Sequence, residues 1–206
     1  MILNRIKCIC AALVLMTANA SATLITFETK DLAHNSSASG HNVDQNDFAG
    51  SWSAIAGGVS ENFLGDFTNV QSGNDKFNHV QIDLSLERDN ANWVFDFGLD
   101  AGLGMALYLD GSLVKSTSDD LWWATNWNNS DVFSVELNDL NRDNKVIDIY
   151  WAEHCCSGVN SIRFKNDAGQ INALSVANVD AASIPEPTSI ALFGLALLAF
   201  VTRRAK

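Results

Sequence analysis

Two short blocks hold the densest chemistry in the chain. The first runs Asp119-Asp120-Leu121-Trp122-Trp123 and continues to Trp127, placing three of the six tryptophans within six positions. The second is Tyr150-Trp151-Ala152-Glu153-His154-Cys155-Cys156-Ser157-Gly158. Indole faces stack on sugar rings, and neighbours on an extended segment point to opposite sides, so one of Trp122 and Trp123 must face outward. An outward indole beside Asp119 and Asp120 is the best candidate ligand surface, with glycan or exopolysaccharide as the ligand class it fits. Trp93 and Trp151 fall on apolar faces and belong to the core.

Asp96, Asp100 and Asp110 sit at strand or loop positions from which carboxylates could converge on a calcium ion, which takes oxygen ligands. Asp139-Leu140-Asn141-Arg142-Asp143 has oxygen side chains at alternate positions, like the opening of a calcium loop. It lacks the following glycine and the distal glutamate, and it spans a predicted hairpin, so a solvated turn is favoured. Zinc is not expected, because tetrahedral sites use cysteines at least two residues apart and His154 alone does not replace them.

Cys155 and Cys156 are the cysteines left after export, in a compartment where disulfides persist. Three readings stay open: a vicinal disulfide forming a rigid apolar knob beside a ligand loop, a local staple of the turn, or an intermolecular crosslink. Glu153-His154 reads as structural, pinning that turn. Enzyme chemistry is not expected. There is no Gly-x-Ser-x-Gly elbow, phosphate loop or zinc-protease helix motif. Asp119-Asp120 is a poor glycosidase pair, since that reaction needs carboxyls about 5–10 Å apart across a cleft.

The elements that must position these residues lie between two targeting segments. Met1 to Ala22 has Arg5 and Lys7, an apolar run from Cys8 to Met16, and Ala20-Ser21-Ala22 as a small-x-small cut site, which reads as a secretory signal peptide. Ala18-Asn19-Ala20 fits nearly as well, so the start of the exported chain stays open by two residues. Residues 184-206 carry Pro185-Glu186-Pro187, an apolar stretch from Ile190 to Val201, and Arg203-Arg204-Ala205-Lys206. As a helix, Thr188 to Val201 would be about 21 Å long against a hydrocarbon core of about 30 Å. It fits transient insertion in the inner membrane with its cations on the cytoplasmic side.

Between them, residues 23-180 form one predicted domain. The exported portion carries eight Lys or Arg against 23 Asp or Glu, a net −15. That field repels nucleic acid and suits solubility in a polysaccharide matrix. Val80, Ile82, Leu84 and Leu86 alternate with polar residues, as do Trp93, Phe95 and Phe97, then Met105, Leu107 and Leu109. Asp110-Gly111 reads as a two-residue hairpin turn. Strands over Phe133 to Leu137, Ile147 to Trp151, Ile162 to Phe164 and Leu174 to Val176 complete the set. Asp31 to Gly50 reads as a long surface excursion whose far end Phe48 and Trp52 pin. With no convincing amphipathic helix, the pattern predicts an all-β fold, an antiparallel β-sandwich or jelly roll.

The C-terminal strip resembles the PEP-CTERM sorting signal through Pro185, Glu186, Pro187, the short apolar segment, and Arg203 and Arg204. That resemblance implies an exosortase-type processing enzyme as partner, with passage through the membrane to the cell surface or matrix. Cys155-Cys156-Ser157-Gly158, Leu107-Tyr108-Leu109-Asp110-Gly111 and Trp122-Trp123 resemble the exported PEP-CTERM proteins grouped by a Cys-Cys-x-Gly motif, over roughly Trp93 to Phe164. More distantly, the Leu-Tyr-x-Asp-Gly strand pair is similar to PA14-type sugar-binding sandwiches. Together these imply a non-catalytic envelope or matrix protein that binds glycan, or a purely structural one stapled or crosslinked through Cys155 and Cys156.

Overall fold

The alternation around Val80, Ile82 and Leu84 forms strand β4 (Lys76–Ser85), the spine of the larger sheet. Strand β1 (Leu24–Asp31) runs antiparallel along its whole length, with Ile25 opposite Ile82 and Phe27 opposite Val80. Strand β11 (Asn144–Glu153) pairs on its other side, Ile147 opposite Ile82. Adding β7 (Met105–Leu109), β8 (Ser112–Thr117) and β2 (Ser60–Phe63) gives the order β2-β1-β4-β11-β7-β8. The second sheet is β10 (Phe133–Leu140), β5 (Ala91–Gly98), β12 (Val159–Lys165) and β13 (Ile171–Ala173) in that order, with the short β3 (Val70–Gln71) also on β12. Two further residue pairs, β6 (Asp100–Ala101) and β9 (Leu121–Trp122), join the segments that leave the sandwich. This computed structural model describes residues 23–32, 42–57, 59–155 and 158–183. The predicted signal peptide and the C-terminal strip lie outside them. No described helix is long and apolar enough to cross a membrane.

The inward sides of the two sheets enclose one aromatic-rich core. Trp93, Phe95, Phe97 and Phe164 from one sheet meet Phe27, Ile82, Ile149 and Trp151 from the other. Trp93 stacks on Phe164 at 4.8 Å and Phe27 on Trp151 at 5.9 Å. Both Trp93 and Trp151 are fully buried, as their apolar faces required. Asp110 and Gly111 take φ of 49° and 75°, the left-handed pair of a tight hairpin turn between β7 and β8. Asp139 and Leu140 end β10 and residues 141–143 bend into β11, the backbone tied to Asn92 and Asp89 side chains and Asp143 accepting from Asn144.

Two helices depart from the strand-only expectation. Helix α1 (Phe48–Ala54) closes the segment read as a surface excursion. Asp47 caps it by accepting from Gly50 N–H at 2.9 Å, which satisfies an amide that the first turn leaves orphaned. Phe48 and Trp52, one turn apart, face the outer side of the larger sheet. Helix α2 (Val176–Ser183) replaces the expected strand through Val176. Ser175 Oγ accepts from Asn178 N–H at 3.2 Å and ends the extended run at Ala173.

Under α1 lies a second, smaller core of Phe48, Phe77, Tyr108, Tyr150 and Ala152. His79 is buried within it, stacked on Tyr150 at 4.3 Å. Its Nδ1 meets Glu28 Oε2 at 2.8 Å and its Nε2 meets Asp148 Oδ1 at 2.9 Å. Each ring nitrogen thus has a carboxylate oxygen as its partner. Burial, then the neighbouring Asp148, Tyr108 and Glu28, raise the Tyr150 hydroxyl pKa well above its ordinary value.

Candidate functional site

Asp96 on β5 is in register with Arg163 on β12, and Gly98 with Ser161. Alternation turns all four away from the core, onto the outer side of the second sheet. Arg163 Nε donates to Asp96 Oδ2 at 2.8 Å, and Asp96 Oδ1 accepts from Ser134 Oγ at 2.6 Å. The segment after β9 folds across this platform. Trp123 lies flat on Gly98, where a Cβ would come within 2.5 Å of the indole. Trp123 Nε1–H donates to Val159 O at 2.9 Å, which fixes the ring.

A tight turn then brings Trp127 back beside it. Ala124 and Thr125 take φ of 51° and 55°, and Asn126 N–H donates to Trp123 O at 2.9 Å. Consecutive left-handed residues other than glycine are costly, about 1–3 kcal/mol each, and such strain clusters at ligand sites. Trp127 packs against Trp123 with ring centroids 4.5 Å apart, and the Arg163 guanidinium sits 4.3 Å from the Trp127 centroid. Beside these rings opens a groove of about 410 Å3. Thr68, Asn69, Thr125, Ser161 and Asn172 supply uncharged hydrogen-bonding groups to it, and Ile171 an exposed apolar edge. Aromatic walls with a few convergent polar groups are the usual make-up of a small-ligand site.

The structure splits the residues singled out by sequence. Trp123 enters the groove wall, while Trp122 points elsewhere with 64% of its surface exposed. Asp119 accepts from Thr117 Oγ1 at 2.8 Å, and neither it nor the exposed Asp120 lines the groove. The three aspartates proposed to share calcium have separate partners. Asp96 holds Arg163 and Asp110 accepts from Val146 N–H, with Lys145 at 3.3 Å. Asp100 faces Glu153. Among the described residues no three His, Cys, Asp or Glu side chains are grouped to hold a metal. Trp127, from the tryptophan block, and Arg163, which carries no local sequence signal, complete the groove. They are 36 positions apart, and only sheet register with the strained turn brings them together.

The Asp100–Glu153 pair forms a buried polar knot behind the groove. Asp100 is pushed up from 3.8 to about 6, first by burial, then by the charge of Glu153 and a hydrogen bond with it, with a smaller push from Asp120. Gly158 N–H opposes this, and the Gly158 Cα lies so close to the Asp100 carboxyl that a side chain would not fit. Glu153 accepts from Gly102 N–H at 2.8 Å and Cys155 N–H at 2.7 Å. Asp100 N–H donates to Asn160 Oδ1 at 2.9 Å, and Asn160 in turn reaches Val70 O and Ser72 Oγ. Carboxyls in mutual contact share a proton. Cys155 is disulfide-bonded. Its proposed ring partner, Cys156, lies outside the described residues.

Residues 183–205 match the PEP-CTERM protein-sorting motif. None of the curated proteins matches the chain. Among solved structures, a PA14 sugar-binding domain from an RTX adhesin superposes with a TM-score of 0.53 at 10% identity, over 76% of this chain and 97% of that one. The PA14 domain of the MpAFP antifreeze protein gives 0.46 at 9% identity, covering 77% and 90%. The Epithelial Adhesin 9 A domain from Candida glabrata, in complex with Galb1-4GlcNAc, gives 0.48 at 8% identity, covering 75% and 88%. At such identities the first of these speaks to fold alone. The chain is a PA14-like antiparallel β-sandwich whose C-terminal PEP-CTERM motif marks it for export.

Proposed function

We propose that this is a non-catalytic protein of the cell envelope or extracellular matrix, processed by an exosortase-type enzyme, that binds uncharged glycan in the groove beside Trp123, Trp127 and Arg163. The observation that carries this reading is the Arg163–Asp96 pair, held beneath Trp127 and bordered by uncharged hydrogen-bonding side chains. The guanidinium that Asp96 holds in place offers donors, and the bordering hydroxyls and amides offer acceptors, which complement neighbouring sugar hydroxyls. Among the described residues Arg163 is the one charged side chain lining the groove, and Asp96 already neutralises it. An anionic sugar would meet the net negative field of the whole chain.

The test is titration of the exported protein with neutral and uronate-containing oligosaccharides, in calcium and in chelator. Saturable binding of neutral sugars, lost in Trp127→Ala and Arg163→Ala, is the expected result. Tighter binding of uronates would overturn the ligand class, and no binding to any matrix polysaccharide would end the glycan reading. The exposed Trp122 favours a second reading, in which that indole is the contact and the groove is structural. Loss of binding in Trp122→Ala but not Trp127→Ala would select it. A purely structural role through Cys155 crosslinking would show as a dimer on non-reducing gels.

A further inference from the structure

Thr23 is the first described residue and it is buried, with its backbone N–H donating to Asp180 Oδ1 at 2.9 Å. Asp180 lies on α2, 157 positions away in sequence. The start of the domain is therefore tied to the helix that runs into the sorting motif. That helix is anchored at both ends: Val176 N–H donates to Gly65 O at 3.0 Å, and Ser183 O accepts from Glu87 N–H at 3.3 Å. Of the two cut sites the leader offers, one lies directly before Thr23 and the other two residues earlier.

We propose that the leader is removed between Ala22 and Thr23, and that the α-ammonium created there pairs with Asp180 to clamp the helix from which the sorting tail departs. The inference rests on the signal-peptide reading and is independent of the glycan site. Hydrolysis by a signal peptidase adds one water. The hydroxyl completes the Ala22 carboxyl, a hydrogen goes to the Thr23 nitrogen, and that amine takes a further proton from solvent at neutral pH. An amide hydrogen bond thereby becomes a charge-assisted one at the same pair of atoms. A cut after Ala20 would leave an ordinary amide at Thr23 and carry the charge about 7 Å further along the chain.

Charged side chains on the flanking segments are Asp180, Asp83 opposite Leu24 on β4, and Glu87 beside the end of α2. Arg88, next to Glu87, is paired with Asp167, and the other three are acidic and favour a cation at this place. Pairing with Asp180 raises the amine above its ordinary value of about 7.7–8.0, against the downward push of burial at Thr23. The added stability is then fully present below that range and is lost as pH rises through the raised value.

The experiment is amino-terminal sequencing of the protein exported by its own host, followed by melting between pH 6.5 and 10. The expected start is Thr23. Asp180→Asn should melt about 2–4 °C lower at pH 6.5, with the gap closing towards pH 10. Ala22→Val, which moves the cut to Ala20 and keeps the amide at Thr23, should show the same gap with the same closure. A start at Ser21, an uncut leader, or a gap equal at both ends of the pH range would overturn the proposal.

Discussion

The two outer faces of the sandwich carry similar chemistry and meet different fates. On the larger sheet, His79 stacks at 4.3 Å on Tyr150 between Glu28 and Asp148. On the smaller sheet, Arg163 sits 4.3 Å from Trp127 and pairs with Asp96. Each is a nitrogen-bearing side chain against a ring with carboxylate support. The first is roofed by α1, with Trp52 packed 5.3 Å from His79 and Lys30 donating to the Trp52 carbonyl at 2.6 Å. Among the described residues no helix crosses the second, and the segment carrying Trp123 and Trp127 covers only part of the platform. A roofed cluster spends its hydrogen bonds on the fold; an open one keeps donors and acceptors for a ligand.

The largest effect should come from removing the roof. Phe48→Ala takes a fully buried ring from the second core and should lower stability by about 3–5 kcal/mol, read by chemical denaturation. Glycan binding by the remaining folded protein should not change. His79→Ala leaves Glu28 and Asp148 without their shared donor. Their side chains are 24% and 18% exposed, so water relieves part of the repulsion and the loss should be about 2 kcal/mol, below the ~3–5 of a fully buried pair.

On the open face the pattern inverts. Trp127→Ala and Arg163→Ala should each weaken neutral-glycan binding about tenfold or more, near 1.4 kcal/mol, with a smaller change in melting than Phe48→Ala causes. Equal damage to folding on both faces would erase the distinction between roof and groove.

The knot behind the groove adds a pH signature. Asp100 is held at about 6 against an ordinary 3.8, so its contribution is fully present below 3.8 and lost as pH rises through about 6. Asp100→Asn keeps a neutral side chain there. Relative to the parent it should gain stability from pH 4 to pH 7, with the gain flat above pH 7; a constant difference across that range would refute the shared proton. The smallest effect belongs to Trp122→Ala, expected to change stability by under ~0.5 kcal/mol and groove binding not at all.

Much of the frame was legible because it is local. Alternation at Val80, Ile82 and Leu84 sets a strand and its apolar side, and Asp110-Gly111 sets a turn, whatever the rest of the chain does. Helix α1 escaped notice because seven residues give too little periodicity, and its docking surface of Phe77, Tyr108 and Tyr150 lies on the strand faces that read as polar. The helical turn at Val176 depends on Ser175 as a cap, a single hydroxyl among several nearby. In the Trp122-Trp123 pair, adjacency required opposite directions but could not say which ring is covered.

The sequence by itself determined the strands, the core tryptophans and the C-terminal address, since composition and period act within a few residues. The tertiary structure alone decided that Trp123 lies on Gly98, that Trp127 returns to Arg163, and that Asp100 meets Glu153. Those contacts join residues that share no local pattern. They exist because register across paired strands and the packing of distant segments select which side of each strand is roofed and which stays open.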